Sequence, residues 1–191
     1  FHDDRLERTT NGSGYLLDHD FDTLRALDAG DGERIPTLEE LFETVDLKAG
    51  VNIELKGPHT ARPVVEFIAA RRQYGWRDDL ILVSSFNHSR LEAVHGRDPR
   101  IRLGVLIEGP PGDAAAVAAA LGAYSVHLSL AFMERGVVEH AHSRGLRVFV
   151  FTVNDPDDIR RMAALGVDGV FTNYPERVLS HQKPGGGIGW V

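Results

Sequence analysis

A glutamate and a lysine stand two positions apart in a segment that reads as a β-strand. Residues 51–55, Val-Asn-Ile-Glu-Leu, alternate apolar and polar side chains, so Glu54 and Lys56 are expected on the same face. A carboxylate suits Mg²⁺ or Ca²⁺, and an ammonium group binds a phosphate oxygen as a point charge. The pair predicts a site that handles a metal ion and a phosphate. A solvent-facing ion pair at the strand end is the alternative.

A histidine followed by two aspartates lies at the start of the chain, as His2, Asp3 and Asp4. Imidazole has an ordinary pKa of about 6.5, and neighbouring carboxylates can tune it. His2 is therefore a candidate general acid or base. An ordinary surface turn is the alternative interpretation.

The other polar and aromatic side chains give weaker signals. The remaining histidines show no paired spacing that would put two metal ligands on one face. Ser84 and Ser85 lack the flanking glycines of a nucleophile elbow, which argues against a serine hydrolase. Phe86 and Phe151 stand near the ends of predicted strands and could line a pocket, although aromatic residues in strands more often belong to the core.

Composition excludes several classes of protein. The chain has 191 residues, of which 42% are hydrophobic and 26% charged, and it contains no cysteine. Disulfides and thiolate metal sites are therefore excluded. The net charge of −7 argues against nucleic acid as the main partner. No apolar run reaches the ~18 residues that a transmembrane helix needs. The composition is that of an ordinary globular protein.

The elements that must position these residues alternate regularly after Gly50. Six predicted strands are separated by predicted helices: 51–55, 80–86, 102–107, 125–129, 146–153 and 169–172. This alternation indicates parallel βαβ units, in an open doubly wound sheet or a (β/α)₈ barrel. No glycine-rich nucleotide loop follows a strand. Polar residues gather at the carboxyl ends of the strands, which favours the barrel, whose active sites are built at that rim.

An ordered set of motifs resembles the glycerophosphodiester phosphodiesterase family. The motifs follow one another along nearly the whole chain: His2-Asp3-x-x-Leu6-x-Arg8-Thr9-Thr10-Asn11-Gly12-x-Gly14, Leu27-Asp28-Ala29-Gly30, 35–40, N-I-E-L-K at 52–56, S-S-F at 84–86, L-G-x-L at 103–106, T-V-N at 152–154 and G-V-D-G-x-x-T-N-Y-P at 166–175. Each motif is weak alone, and their shared order makes the resemblance specific.

The resemblance implies an α/β fold, a TIM-type (β/α)₈ barrel of the phospholipase-C-like phosphodiesterase architecture. It implies metal-dependent hydrolysis of glycerophosphodiesters to glycerol 3-phosphate and an alcohol, with a divalent cation, Mg²⁺ or Ca²⁺, as cofactor. By position, His2 resembles a catalytic histidine, Glu54 a metal ligand and Lys56 a catalytic lysine that contacts the phosphate. Phe86 and Phe151 correspond to substrate-binding aromatics, with Phe151 where the family usually has tryptophan.

Two family motifs, a His-Arg-Gly strand end and a Glu-x-Asp pair of metal ligands, do not occur in the 191 residues. We therefore expect a barrel domain over 1–183 that lacks its first two strands, followed by a tail over 184–191. We also expect that Phe1 lies inside the complete domain and is not its natural start. An inactive fragment is one expectation for this chain. A cytoplasmic location is favoured, with secretion open because a signal peptide would lie upstream.

Two other functions remain open. The same scaffold could be a non-catalytic binding module, because a fold does not fix a function. It could also be a phospholipase D-like barrel phosphodiesterase acting on larger lipids, which long apolar surface loops would favour.

Overall fold

The computed structural model of the protein describes residues 1–179. The chain forms two compact units, Phe1–Lys48 and the segment from Ala49 onward. The predicted boundary between a domain ending at 183 and a tail over 184–191 lies outside the described residues.

The first unit is built from short helices joined by turns. Its helices are a 3₁₀ turn at Leu16–Asp18, α1 at Phe21–Arg25 and α2 at Leu38–Val45. A capping box begins α2, because Thr37 Oγ1 accepts from the Glu40 N–H while Glu40 Oε2 accepts from the Thr37 N–H. The Glu40 carboxylate also accepts two hydrogen bonds from the Arg25 guanidinium, which fastens α1 to α2.

The second unit is a parallel sheet whose strands follow one another in chain order. Among the described residues the strands are β1 Val51–Glu54, β2 Ile81–Ser85, β3 Arg102–Leu106, β4 Ser125–Ser129, β5 Arg147–Phe151 and β6 Gly169–Val170. Each strand pairs in parallel with the next one along the chain. This topology confirms the prediction of successive βαβ units.

Helices connect and cover these strands. They are α3 Ala61–Arg72, α4 His88–His95, α5 Ala114–Ala120, α6 Arg135–His142, α7 Pro156–Leu165 and α8 Pro175–Leu179, with 3₁₀ turns at Asp78–Leu80 and Leu130–Phe132. Most carry buried apolar residues along one side, such as Leu91 and Val94 of α4. That amphipathic pattern is what packing onto a sheet requires.

The differences from the sequence prediction lie at the ends of the elements. The strand predicted over 146–153 spans Arg147–Phe151, and the strand predicted over 169–172 spans Gly169–Val170. Pairing nevertheless continues past the end of β6, because the Phe171 N–H donates to the Val150 carbonyl at 2.8 Å. An apolar run predicts the centre of a strand better than the residue at which regular pairing ends.

The two faces of the sheet differ in chemistry. The register aligns Glu54, Ser84, Gly104 and Ser125 across β1 to β4. Because side chains alternate along a strand, these residues share one face, and their neighbours Ile53, Val83, Leu103 and Val126 occupy the other. The helices need an apolar surface to pack against, so the second face is the one they cover. The first face is left to carry polar and aromatic side chains.

Candidate active site

The two residues singled out at the end of β1 lie on either side of the point where the strand ends. Glu54 is the last residue of β1, is partly buried and is paired in register with Ser84. Lys56 follows two residues later and is exposed. Within residues 1–179, the Lys56 ammonium has no ion-pair partner, so the alternative of a Glu54–Lys56 ion pair is wrong. An exposed cation at a strand end is instead available to an anionic ligand.

The main chain that carries Lys56 is held by two side chains from the next βα unit. The Leu55 carbonyl accepts a hydrogen bond from Ser85 Oγ at 2.7 Å and one from Arg90 Nη1 at 3.1 Å. The same Arg90 nitrogen donates to the Lys56 carbonyl at 2.7 Å. Ser85 was predicted at the carboxyl end of its strand, but its contact with Leu55 and those of Arg90 join residues thirty or more positions apart, which no local pattern reveals.

The predicted substrate aromatics come together across the sheet. The Phe86 and Phe151 rings meet edge to face, with centroids 5.8 Å apart and planes at 83°. Phe86 follows β2 directly and Phe151 ends β5, with β3 and β4 between them. Three spacings of a flat sheet would separate the two rings by roughly 14 Å. The contact therefore indicates that the polar face of the second unit is concave. Phe86 keeps a large exposed surface there.

A buried histidine lies on the same concave face. His127 of β4 is fully buried, and its Nε2 lies 2.9 Å from Ser125 Oγ. Phe149 and Phe171 pack against its ring at centroid distances of 5.3 and 5.1 Å. Burial lowers the pKa of His127 to about 3, so the ring is neutral at physiological pH.

Gly104 makes room for this histidine. A Cβ at position 104 would lie 2.5 Å from His127 Nε2 and 2.6 Å from its Cε1, closer than real contacts allow. A glycine inside a predicted strand signals a close approach, but the sequence does not name the partner, because residues 104 and 127 meet only through the pairing of β3 with β4.

The polar residues predicted at the ends of β5 and β6 fasten the loops there. Asn154 Oδ1 accepts from Thr172 Oγ1 at 3.2 Å and from the Asn173 N–H at 2.9 Å. The Asn154 carbonyl accepts from Arg177 Nη1 at 2.7 Å. These contacts give Asn154 and Thr172 a structural role at the rim.

His2, in the first unit, is oriented by the carboxylate that follows it. His2 Nδ1 lies 2.8 Å from Asp3 Oδ1, and the Arg8 guanidinium binds both oxygens of the same carboxylate. The hydrogen bonds from Arg8, and then from His2, hold the pKa of Asp3 well below its ordinary range. An ionised Asp3 can only accept, so Nδ1 carries the hydrogen and Nε2 is the basic nitrogen. This arrangement orients an imidazole for proton transfer.

The described residues do not by themselves form a divalent cation site. Mg²⁺ and Ca²⁺ take about six to eight oxygen ligands, usually with more than one carboxylate. Residues 1–179 hold no group of three or more histidines, aspartates or glutamates that could bind a metal ion. A divalent cation at Glu54 would therefore need further ligands.

None of the helices within 1–179 has both the length and the apolar character needed to cross a bilayer.

The model of the glycerophosphoryl diester phosphodiesterase family matches residues 1–177. The chain belongs to this family. A glycerophosphodiester phosphodiesterase of Caldanaerobacter subterraneus is 34% identical over 195 residues, covering 97% of this chain and 80% of the relative. One from Bacillus altitudinis is 33% identical over 191 residues, covering 93% of this chain and 78% of its own.

Solved structures agree with this assignment. The phosphodiesterase of Oleispira antarctica, in complex with the product sn-glycerol-3-phosphate, is 30% identical with a TM-score of 0.84, covering 94% of this chain and 77% of its own. The glycerophosphodiester phosphodiesterase of Thermotoga maritima is 28% identical with a TM-score of 0.76, and the match covers 95% of this chain and 78% of that protein. The predicted family, barrel-type fold and enzyme class are confirmed.

Proposed function

We propose that the protein hydrolyses glycerophosphodiesters to glycerol 3-phosphate and an alcohol. The observation that carries the proposal is the exposed Lys56 ammonium, without an ion-pair partner in the described chain, beside the partly buried Glu54 at the carboxyl end of β1. The family match over 1–177 and the relative that holds sn-glycerol-3-phosphate support the same substrate class.

Lys56 is proposed to contact the phosphate. Cleavage of a phosphodiester increases negative charge on the phosphoryl oxygens, and a cation fixed nearby stabilises the transition state more than the ground state. Lysine suits this role because its compact ammonium can follow the oxygens as the bond breaks. Hydrogen bonds from Ser85 and Arg90 to the Leu55 and Lys56 carbonyls limit the region that the ammonium group can reach.

His2 is proposed as a general acid or base. The ionised Asp3 fixes Nδ1 as the protonated nitrogen, which leaves Nε2 to take up or deliver a proton. Arg8 keeps Asp3 charged, so the orientation of the ring persists to low pH.

Phe86 and Phe151 are proposed to form an apolar wall for the glycerol or alcohol part of the substrate. Their edge-to-face contact leaves Phe86 partly exposed on the concave face. An aromatic wall buries apolar surface of the ligand without competing for its phosphate.

Glu54 is proposed as one ligand of a divalent cation, Mg²⁺ or Ca²⁺. When bound, such an ion supplies positive charge to the phosphoryl oxygens. Such an ion needs ligands besides Glu54, because residues 1–179 hold no group of three or more histidines, aspartates or glutamates that could bind it.

Release of sn-glycerol 3-phosphate from sn-glycero-3-phosphocholine tests the proposal. In the full-length protein, His2→Ala should lower kcat by about 100-fold or more, as expected for loss of a general acid or base. His95→Ala, at an exposed position ending α4, is the control and should retain activity. Near wild-type turnover by His2→Ala would reject the role of His2. Binding of sn-glycerol 3-phosphate without any turnover would favour the binding-module alternative.

A further inference from the structure

Arginine side chains of three helices donate to main-chain carbonyls in the loops that follow strands. Arg90 of α4 reaches the loop after β1. Arg161 of α7 reaches the Met133 and Leu130 carbonyls after β4, at 3.3 and 3.5 Å. Arg177 of α8 reaches the loop after β5. In each case the helix that follows one strand holds the loop that follows the preceding strand.

Arg90 differs from the other two because its loop carries an exposed cation. Its Nη1 lies within hydrogen-bond distance of both the Leu55 and the Lys56 carbonyl. Ser85 Oγ donates to the same Leu55 carbonyl and accepts from the Asn87 N–H at 3.0 Å. The end of β1 and the start of α4 are thus joined through one connected set of hydrogen bonds.

The charge of Arg90 matters as well as its geometry. Guanidinium is always protonated, and within residues 1–179 Arg90 forms no ion pair with a carboxylate. Among the residues that the structure describes, its hydrogen bonds go to the carbonyl dipoles of Leu55 and Lys56. The carboxyl end of β1 therefore holds two cations, one fixed to the main chain and one on a flexible stem.

We propose that Arg90 is a positioning residue for Lys56, an inference that rests on the proposed role of Lys56 at the phosphate. Lysine has a long flexible side chain, and ordering it costs conformational entropy. Holding the carbonyls on either side of its α-carbon fixes the direction in which the side chain leaves the loop. The fixed guanidinium also raises the local positive potential that attracts an anionic phosphodiester.

A double-mutant cycle in the full-length protein tests the proposal. Arg90→Met should lower kcat/KM for sn-glycero-3-phosphocholine by about 10- to 100-fold, the loss expected from misplacing a reacting group by about 1 Å. In a Lys56→Met background the same change should cost little more, because two residues acting through one contact are not additive. Arg90→Lys should recover part of the loss, since an ammonium can bind a carbonyl but lacks the guanidinium fork.

Arg161→Met is the matched control, because Arg161 makes the same kind of contact to a different loop. It should leave kcat/KM unchanged. Thermal unfolding of each variant separates a loss of stability from a loss of positioning. If Arg90→Met does not fold, Arg90→Lys and Arg90→Gln provide the cycle.

The outcomes separate the two proposals. The positioning role would be overturned if Arg90→Met lowered kcat/KM equally in the wild-type and Lys56→Met backgrounds. It would also be overturned if Arg90→Met caused no loss in the wild-type background. Either result would leave the proposed role of Lys56 intact. Full activity of Lys56→Met would overturn both.

Discussion

At the scale of single residues, steric room decides what the concave face can hold. His127 is the large polar side chain buried on β4, and its ring lies over Gly104 of the adjacent strand. Two phenylalanine rings pack against the same imidazole. The interior is therefore filled by a neutral ring that fits only because position 104 has no side chain.

Gly104→Ala should destabilise the protein by about 1–3 kcal/mol, as overpacking of a filled interior does. The added Cβ would lie 2.5 Å from His127 Nε2, and the flanking aromatic rings limit the movement of the imidazole. Gly136→Ala in α6 is the control, because nothing lies within 4 Å of a Cβ there and alanine favours a helix. Denaturant unfolding measures both variants. Equal stability of Gly104→Ala and the wild type would show that the histidine can move aside.

At the scale of elements, contacts distant in the sequence hold the helices and strands together. Asp98, in the loop before β3, is almost completely buried and accepts from Arg72 of α3 and from Arg100. Arg72 also binds Asp78, at the start of the 3₁₀ turn before β2. The hydrogen bonds from Arg100, with those from Arg72, hold the pKa of Asp98 well below its ordinary range.

Asp98→Asn should cost about 1.5–3 kcal/mol of stability, the range for hydrogen bonds to charged groups. It leaves Arg72, whose side chain is only 17% exposed, with a weaker acceptor. Glu66→Gln is the control, because its pair with Arg62 is exposed on both sides and such pairs contribute at most about 1 kcal/mol. Thermal or urea unfolding compares the two. If Asp98→Asn lost no more stability than Glu66→Gln, the charge of Asp98 would not be needed to hold Arg72 and Arg100.

The elements themselves were largely predictable, and the contacts between them were not. Apolar runs such as that of β2 and signals such as the Thr37 capping box depend on neighbours in the sequence, and both are present in the structure. The bonds from Arg90 to the loop after β1 depend on tertiary packing, so no local pattern reveals them. At the candidate site, the sequence predicted that Glu54 ends a strand, whereas the hydrogen bonds from Arg90 to the Leu55 and Lys56 carbonyls could not be predicted.

At the scale of the whole molecule, the unfolding free energy should depend on pH, because folding lowers the pKa of several groups. Folding lowers the pKa of His127 to about 3, against about 6.5 when unfolded, so the unfolded chain binds more protons as pH falls. Asp98 and Asp168 also have lowered pKa values in the folded state. Their contributions are present above the ordinary carboxyl pKa and are lost at lower pH.

We expect the unfolding free energy to fall as pH decreases from about 6.5, with His127 contributing first and the carboxylates below about pH 4. In His127→Gln the decline between pH 6.5 and 4 should be shallower, because no imidazole is left to protonate on unfolding. His95→Ala, at an exposed site, should keep the wild-type slope. Urea unfolding across this pH range measures the slopes. Identical slopes for His127→Gln and the wild type would contradict the burial effect.

The close approach of Gly104 and His127 also limits how this sheet can change during evolution. A side chain at position 104 becomes acceptable only after position 127 has become smaller, because the two occupy the same space. The reverse order passes through a destabilised intermediate. These two positions should therefore covary among related sequences, with a bulky residue on one strand accompanied by glycine on the other.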